Sequence, residues 1–322
     1  MAISLETSVP AAWDRAIVFA CDGRYLPYAL FAAEQIARLN PRRDFDICLC
    51  ALGETLAVPP ALAALGLRIC RIESGGALAG LPVDERRTEA TYLRMLLPAA
   101  LAGDYRRLLY LDSDVFVQGG DFGALLRADL GTRAVAAVRD NFQWRSPRRH
   151  VDSFKAMKLP NLPYFNAGVL LIDVAAFDAE RVLERCVAFA AAHPTGMLHM
   201  DQDVLNGALM GEWAELSPAW NWQYTRATMV FEAMEGANVV HFIGGKKPWN
   251  HGGGRLPLRL QRAYRAFFAR AYPERPPLPE GIAPHRDRRY LRDVLVRHTL
   301  AVGRFCDYLD RFESDLTVLN TG

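Results

Sequence analysis

No stretch of this 322-residue sequence approaches the ~20 consecutive apolar residues that a membrane-spanning helix needs. Charge of either sign is scarce as an excess: the net value is +2 at pH 7, which gives no general reason to expect nucleic acid as a partner. The cysteines, Cys21, Cys48, Cys50, Cys70, Cys186 and Cys306, form no CxxC pair and no dense framework. That spacing speaks against a zinc site or a disulfide scaffold and fits free thiols in a reducing compartment. Cys48 and Cys50 alternate within "DFDICLCAL" as two side chains of a strand do. The first segment, "MAISLETSVPAAWDRAIVFAC", lacks the basic start of a secretory leader, so the expectation is a cytoplasmic protein, with peripheral membrane attachment left open. There is no internal repeat. What is present, 51% hydrophobic and 23% charged residues, describes an ordinary globular chain with a substantial core, in one large domain or two small ones.

The apolar patterning alternates between strand and helix. "RAIVFAC" reads as a strand, and Leu30, Phe31, Ile36 and Leu39 mark the buried face of a helix that ends before Pro41. "DFDICLCAL" and "LGLRICRI" read as the next strands, which implies parallel pairing with helices on both faces. "DERRTEATYLRMLLPAAL" predicts a helix leading into "RRLLYLDSDVFV". "TRAVAAVRD", "YFNAGVLLIDV" and "ANVVHFIGG" predict further strands. "AFDAERVLERCVAFAAAH" predicts one helix through Phe177, Val182, Leu183, Cys186 and Phe189, and "MDQDVLNGALMG" a short helix ending at glycine. The five prolines of "AYPERPPLPEGIAPH" place a linker at 273–283, between a main domain at 1–272 and a helical tail at 284–322.

Several motifs bear on chemistry. In "RRLLYLDSDVFVQGG" an apolar strand runs into Asp112 and Asp114. Residues i and i+2 of a strand share a side, so the two carboxylates converge on one hard cation, Mn²⁺ or Mg²⁺, with Ser113 turned elsewhere. Ligands of open α/β sheets collect beyond the carboxyl ends of such strands. The bland reading is a pair of surface carboxylates. "VVHFIGGKKPWNHGG" repeats the pattern. His241 is a candidate softer ligand that favours Mn²⁺, Gly244 allows close backbone approach to a phosphate, and Lys247 supplies charge to it; the alternative is a solvated basic turn. Asn166, Ala167 and Gly168 at the mouth of a strand suit contact with a sugar or form an ordinary turn. Asp201 and Asp203 flank Gln202 at a helix start, where capping explains one acid but not both. Asp22, after the first strand, can accept from a base or ribose. Arg94 is either a helix-surface arginine or a buried cation near a diphosphate. Trp220 and Trp222 can stack on a sugar or fill the core.

Taken in order, "IVFACDGRY", "TYLRMLLP", "RLLYLDSDVFV", "YFNAGVLLID", "MDQDVLNG" and "HFIGGKKPW" resemble glycosyltransferase family 8, which includes bacterial lipooligosaccharide galactosyltransferases and glucosyltransferases and the glycogenins. The resemblance spans about residues 15 to 250. It implies an α/β GT-A fold: a Rossmann-like, mixed and mainly parallel central sheet flanked by helices. It further implies Mn²⁺-dependent transfer of glucose or galactose from a UDP-sugar, with retention, to a glycan acceptor such as lipopolysaccharide or another surface saccharide, free or lipid-linked. By the resemblance, Asp112, Asp114 and His241 match metal ligands, Ala20 and Asp22 the uracil side, and Gly244 and Lys247 the diphosphate contacts. Arg94, Asn166, Ala167, Gly168, Asp201 and Gln202 match positions around the donor sugar, with Ser113 between the two acids on the donor side. Gly23 and Arg24 stand where the bacterial galactosyltransferase pattern has an acid and an asparagine. Asn250 stands where a histidine is usual, with His251 next.

Two other readings compete. A haloacid-dehalogenase-like phosphatase also ends a strand in DxD, but wants threonine or valine where Phe116 stands. A non-catalytic nucleotide-sugar or glycan-binding protein is the second. The tail carries six arginines against two acids from Pro284 to Arg304, which suits an anionic inner-membrane surface, a packed helix or a dimer contact.

Overall fold

A computed structural model describes residues 2–83, 89–250, 256–279 and 281–320. The predicted start of the helix before "TYLRMLL", residues 84–88, and His251 lie outside the described residues.

The strands are β1 (Ser4–Thr7), β2 (Arg15–Ala20), β3 (Asp46–Leu52), β4 (Arg68–Glu73), β5 (Arg107–Leu111), β6 (Val115–Val117), β7 (Val135–Arg139), β8 (Phe165–Asp173), β9 (Ala214–Leu216), β10 (Trp222–Gln223), β11 (Val239–His241) and β12 (Val318–Asn320). Among the described residues they form a nine-stranded sheet in the order β1-β4-β3-β2-β5-β8-β7-β9-β12 and a three-stranded sheet in the order β10-β11-β6. The run β4-β3-β2-β5 is parallel, as the strand–helix alternation predicts. Beyond it, β8 pairs antiparallel with both β5 and β7, and β7 with β9 is parallel again, so the sheet is mixed. The central strands are buried almost throughout, which is why they read as continuous apolar runs.

Helices cover both faces. Helix Leu26–Leu39 takes Pro27 in its first turn, where the missing N–H costs nothing, and buries Leu30, Phe31 and Ile36. Leu39, expected on that face, is exposed in the last turn. The helix expected over "AFDAERVLERCVAFAAAH" is two, Val174–Ala179 and Val182–Ala192, broken at Arg181, whose φ of 53° is left-handed. Phe177, Val182, Cys186 and Phe189 still reach the core across the break. Trp220 and Trp222 are fully buried, so packing accounts for both.

The apolar run "RRLLYLDSDVFV" is not one strand. β5 belongs to the large sheet and β6 to the small one, and the chain changes sheets across Asp112-Ser113-Asp114. Asp112 N–H donates to Gly168 O (2.8 Å), and Phe242 N–H donates to Asp114 O (3.1 Å). The two acids thus stand at the seam between the sheets.

The carboxyl-terminal segment rejoins the core. Helix Arg288–Leu309 is capped by Asp287, which accepts from Tyr290 N–H (3.0 Å), and it buries Ala301, Phe305 and Tyr308 against Trp144 and Phe231. The chain then adds β12 to the sheet edge beside β9. Under this helix Glu215 is wholly buried. It accepts from Arg139 Nε and Nη2 (2.9 and 2.8 Å), from Arg311 Nη2 (3.0 Å) and from Tyr308 OH (2.7 Å). Removing one member of such a buried group strands the others' charge, so Glu215→Ala is expected to lose about 3–5 kcal/mol. Urea denaturation monitored by circular dichroism measures it; a loss under about 1 kcal/mol would mean that this group does not hold the carboxyl-terminal helix.

Candidate active site

The seam collects side chains from four directions. Asp112 and Asp114 come from the β5–β6 crossover and His241 from the end of β11. Asn166, Ala167 and Gly168 come from the start of β8, and Arg94 from helix Leu93–Leu101. One ligand atom of each of Asp112, Asp114 and His241 lies within 4.8 Å of the others. His241 Nε2 is 3.1 Å from Asp114 Oδ1 and 3.7 Å from Asp112 Oδ2. Its other nitrogen, Nδ1, meets Asn221 Oδ1 at 3.0 Å. Hard carboxylate oxygens and one imidazole nitrogen suit a first-row divalent cation such as Mn²⁺, or Mg²⁺ with less help from the histidine.

Close packing makes this cluster dependent on glycine. A Cβ added at Gly168 would lie 2.3 Å from His241 Cε1 and 2.8 Å from Asp112 Oδ2, so any larger residue displaces the acid, the histidine or both. Gly168→Ala is therefore expected to weaken Mn²⁺ binding by at least about tenfold, a typical cost of disturbing groups that orient ligands. Electron paramagnetic resonance titration of Mn²⁺ checks this, and unchanged binding would show that the cluster is not the cation site.

The charges compensate one another. Burial would raise the Asp114 carboxyl, but His241 and Lys247 beside it prevail and hold it well below the usual carboxylate range. Lys247 Nζ donates to both Asp114 Oδ2 and Phe242 O. Arg94 is not a surface arginine. Burial opposes its charge, yet Asp112 and Asp201 raise its pKa above the ordinary value. Its Nη2 pairs with Asp112 Oδ1 (2.9 Å), its Nη1 with Asp201 Oδ2 (3.2 Å) and Ala167 O (2.8 Å), and the guanidinium lies 4.7 Å from the Tyr110 ring centre. Burial raises the Asp201 carboxyl, with Arg94 opposing.

The acids around Gln202 divide their work. Asp203 is buried and structural: it accepts from Leu198 N–H (2.8 Å), His199 N–H (2.7 Å) and Tyr164 OH (2.7 Å). Asp201 faces the site. Gln202 Oε1 accepts from Asn166 Nδ2 (3.0 Å) and Ala167 N–H (3.2 Å), and its Nε2 donates to Asp140 Oδ2 (3.1 Å).

Two recesses open on the seam and share Arg94, Asp112 and Asp114. The smaller, about 270 Å³, is walled by Ala20, Asp22, Arg24, Thr91 and Ser113. The larger, about 750 Å³, runs past Asp140, Asn166, Asp201, Gln202 and Gly244. In the first, Ser113 Oγ is buried without a hydrogen-bond partner among the described residues, as is Arg94 Nε. Polar atoms left this way call for a partner such as an ordered water, an ion or a ligand. Asp22 Oδ1 accepts from Tyr25 N–H (2.9 Å) and Arg24 N–H (3.0 Å), while Oδ2 pairs with the exposed Arg24 (2.9 Å), which thereby folds back on the acid. Gly244 has φ +75°, a left-handed turn that glycine adopts without strain, three residues past the end of β11. Asn250 stabilises the following turn, accepting from Lys247 N–H (3.1 Å) and donating to Gly245 O (2.9 Å). The expected site residues therefore converge.

Residues 16–253 match the family described as glycosyl transferase family 8. The chain belongs to that family. Its relatives include General stress protein A of Bacillus subtilis, 33% identical over 180 residues that cover 51% of this chain and 60% of that protein. Another is the lipopolysaccharide 1,3-galactosyltransferase of Salmonella typhimurium, 29% identical over 192 residues that cover 56% of this chain and 55% of that protein. The match thus spans only 55 to 60% of the length of these two relatives. Among solved structures, the galactosyltransferase LgtC in complex with donor and acceptor sugar analogs superposes with a TM-score of 0.63 at 25% identity, over 82% of this chain and 98% of that one. The mixed sheet flanked by helices is the GT-A fold expected of family 8, and the dehalogenase-like reading falls with it.

Three site residues escaped the sequence reading. Tyr110 donates to Asp112 Oδ1 (2.5 Å) and lies two residues before it in β5, so strand alternation was a signal for it. Asp140 follows β7 and receives Gln202. Asn221 is wholly buried beside His241, and a polar residue between two tryptophans was its only trace.

Proposed function

We propose that this family 8 protein transfers a hexose, glucose or galactose, from a UDP-sugar to a saccharide acceptor with retention at the anomeric carbon. The acceptor class that its relatives suggest is lipopolysaccharide or another surface glycan. The observation that carries the reading is the convergence of Asp112, Asp114 and His241 at the sheet seam, between two recesses with buried unsatisfied polar atoms. When bound there, a divalent cation, Mn²⁺ or Mg²⁺, supplies Lewis-acid stabilisation of a departing diphosphate.

The chain's own residues supply the rest. Asp112, Asp114 and His241 hold the cation. Ala20, Asp22 and Ser113 border the smaller recess and receive the nucleoside. Lys247 exchanges its contact with Asp114 for a phosphate oxygen, and Gly244 lets the backbone approach it. Arg94, Asn166, Ala167, Gly168 and Asp201 orient the donor sugar in the larger recess, with Gln202 beneath them. Retention through double displacement needs a free nucleophile under the anomeric carbon. Both lone pairs of Gln202 Oε1 are already engaged, by Asn166 and Ala167, and Asp201 is paired with Arg94. This favours attack from the face of departure, with a donor phosphate oxygen taking the acceptor proton. Mass spectrometry of the protein quenched during turnover should show no glycosyl adduct; an adduct on Gln202 or Asp201 would overturn that route.

Residues 1–272 are taken as the transferase domain, 273–283 as its connection and 284–322 as a brace that also meets the membrane. Among the described residues no helix is long and apolar enough to cross a membrane. Helix Arg288–Leu309 leaves Leu295, Val296 and Leu300 exposed in an arginine-rich stretch, a composition suited to the cytoplasmic face of an anionic bilayer. Flotation with phosphatidylglycerol vesicles tests this: replacing the three by serine should abolish co-flotation, and unchanged flotation refutes the contact.

UDP release from UDP-glucose and UDP-galactose decides the main reading. Release in Mn²⁺ that chelation abolishes is expected for one of the two sugars. Tight binding without release would instead favour a nucleotide-sugar-binding protein.

A further inference from the structure

A chain of side-chain amides runs from Asp140 to His241. Gln202 Nε2 donates to Asp140 Oδ2 (3.1 Å), Asn166 Nδ2 to Gln202 Oε1 (3.0 Å), and Asn221 Nδ2 to Asn166 Oδ1 (2.9 Å). Asn221 Oδ1 then meets His241 Nδ1 at 3.0 Å. Carboxamide oxygen and nitrogen are alike in shape, so the direction of such a chain must come from groups that can only donate or only accept.

Such groups stand at each link. Ala167 N–H, which can only donate, lies on Gln202 Oε1 (3.2 Å) and identifies it as the oxygen. Asp140, a carboxylate, identifies the other end of Gln202 as the NH₂ group. Gly168 N–H donates to Asn166 Oδ1 (3.1 Å) and identifies that atom in turn. The Asn221 atom facing this oxygen is therefore its NH₂ group, and the atom facing His241 is its oxygen. An amide oxygen beside Nδ1 requires a proton on Nδ1. In a neutral ring Nε2 is then bare, 3.1 Å from Asp114 Oδ1, another acceptor. Two lone pairs facing each other at that distance are what a cation between them relieves. Asn221 cannot turn away, because the chain is wholly buried there between Trp220 and Trp222.

We propose that Asn221 is a positioning residue that holds His241 in the Nδ1–H tautomer, through an amide chain whose direction is set by Asp140 and the backbone N–H groups of Ala167 and Gly168. The same chain passes through Gln202 and Asn166, so the floor of the donor-sugar recess and the cation ligand share one hydrogen-bond network. The inference rests on the cation reading above for its purpose, but its central statement concerns the metal-free protein.

The test is a two-bond ¹H–¹⁵N correlation spectrum of metal-free protein labelled with ¹⁵N-histidine, recorded on the alkaline side of neutrality. The His241 pattern is identified by its loss in His241→Gln. The wild type is expected to show the Nδ1–H tautomer. Asn221→Ala is expected to move the proton to Nε2, where Asp114 accepts it, and to weaken Mn²⁺ binding by about ten- to a hundredfold in paramagnetic resonance titrations with the metal alone. Asn221→Asp keeps an acceptor on Nδ1–H and should restore the tautomer, although it gives up the bond that Asn221 Nδ2 donates to Asn166 Oδ1. A wild-type ring protonated at Nε2 and bare at Nδ1, or an unchanged tautomer in Asn221→Ala, would overturn the proposal. The Nδ1–H tautomer in a wild type that binds no Mn²⁺ would support the role of Asn221 and refute the cation reading instead.

Discussion

Asp112→Asn and Asp114→Asn are each expected to abolish metal-dependent turnover while leaving the protein folded. An asparagine keeps the shape of the side chain but removes the charge that draws a divalent ion out of water. Lewis-acid stabilisation of a departing diphosphate is worth several kcal/mol, so its loss lowers turnover by at least about a thousandfold. The fold tolerates the change because the crossover is held by its backbone, through Asp112 N–H to Gly168 O and Phe242 N–H to Asp114 O. Arg94 retains Asp201 in Asp112→Asn, and Tyr110 OH still finds an oxygen at position 112. Steady-state UDP release together with circular dichroism separates the effects. Full activity in either variant contradicts the assignment.

Arg94→Met is expected to lose both activity and stability. The guanidinium is buried against Asp112 and Asp201, and a thioether fills its volume without its charge. Leaving these largely buried carboxylates without their cation costs up to about 3–5 kcal/mol. The sign with pH follows from Asp201. Burial already raises its carboxyl above the unfolded value, and Arg94 is the group that opposes the rise. Without Arg94 the folded pKa climbs further. The penalty is absent below the unfolded carboxylate pKa of about 4, grows between that value and the folded one, and is complete above the folded one. Arg94→Met should therefore lie closest to wild type in acid and fall away toward neutrality in urea denaturation. Arg94→Lys keeps one charge but not the fork that reaches two carboxylates and a carbonyl, so it should fall between. A loss independent of pH would mean that packing, not charge, is what Arg94 contributes.

Much of this site was legible because its chemistry is local. Two carboxylates at i and i+2 after an apolar strand, a histidine after another, and small residues at the mouth of a third are short patterns with a physical reason. Their order along the chain carried the family resemblance. Pairing is not local, and there the sequence is silent. Nothing in "RRLLYLDSDVFV" announces that the strand before the acids joins one sheet and the strand after them another. Nothing in "YFNAGVLLIDV" says that it runs antiparallel to its neighbours. The tail was set apart by the five prolines before it, and its arginines suited a membrane surface as well as a packed helix. Phe305, Tyr308 and the short β12 nevertheless return to the core. Asn221 was hidden for a similar reason: its role exists only once His241, twenty residues later, is brought beside it.

A cation at the seam of the two sheets is central to the proposed reaction, and anomalous scattering from crystals grown with Mn²⁺ and UDP tests for it most directly. A single strong peak is predicted within coordination distance of Asp112, Asp114 and His241 Nε2, with the diphosphate on its open side. No peak there, or a diphosphate bound with those three residues uninvolved, would contradict it.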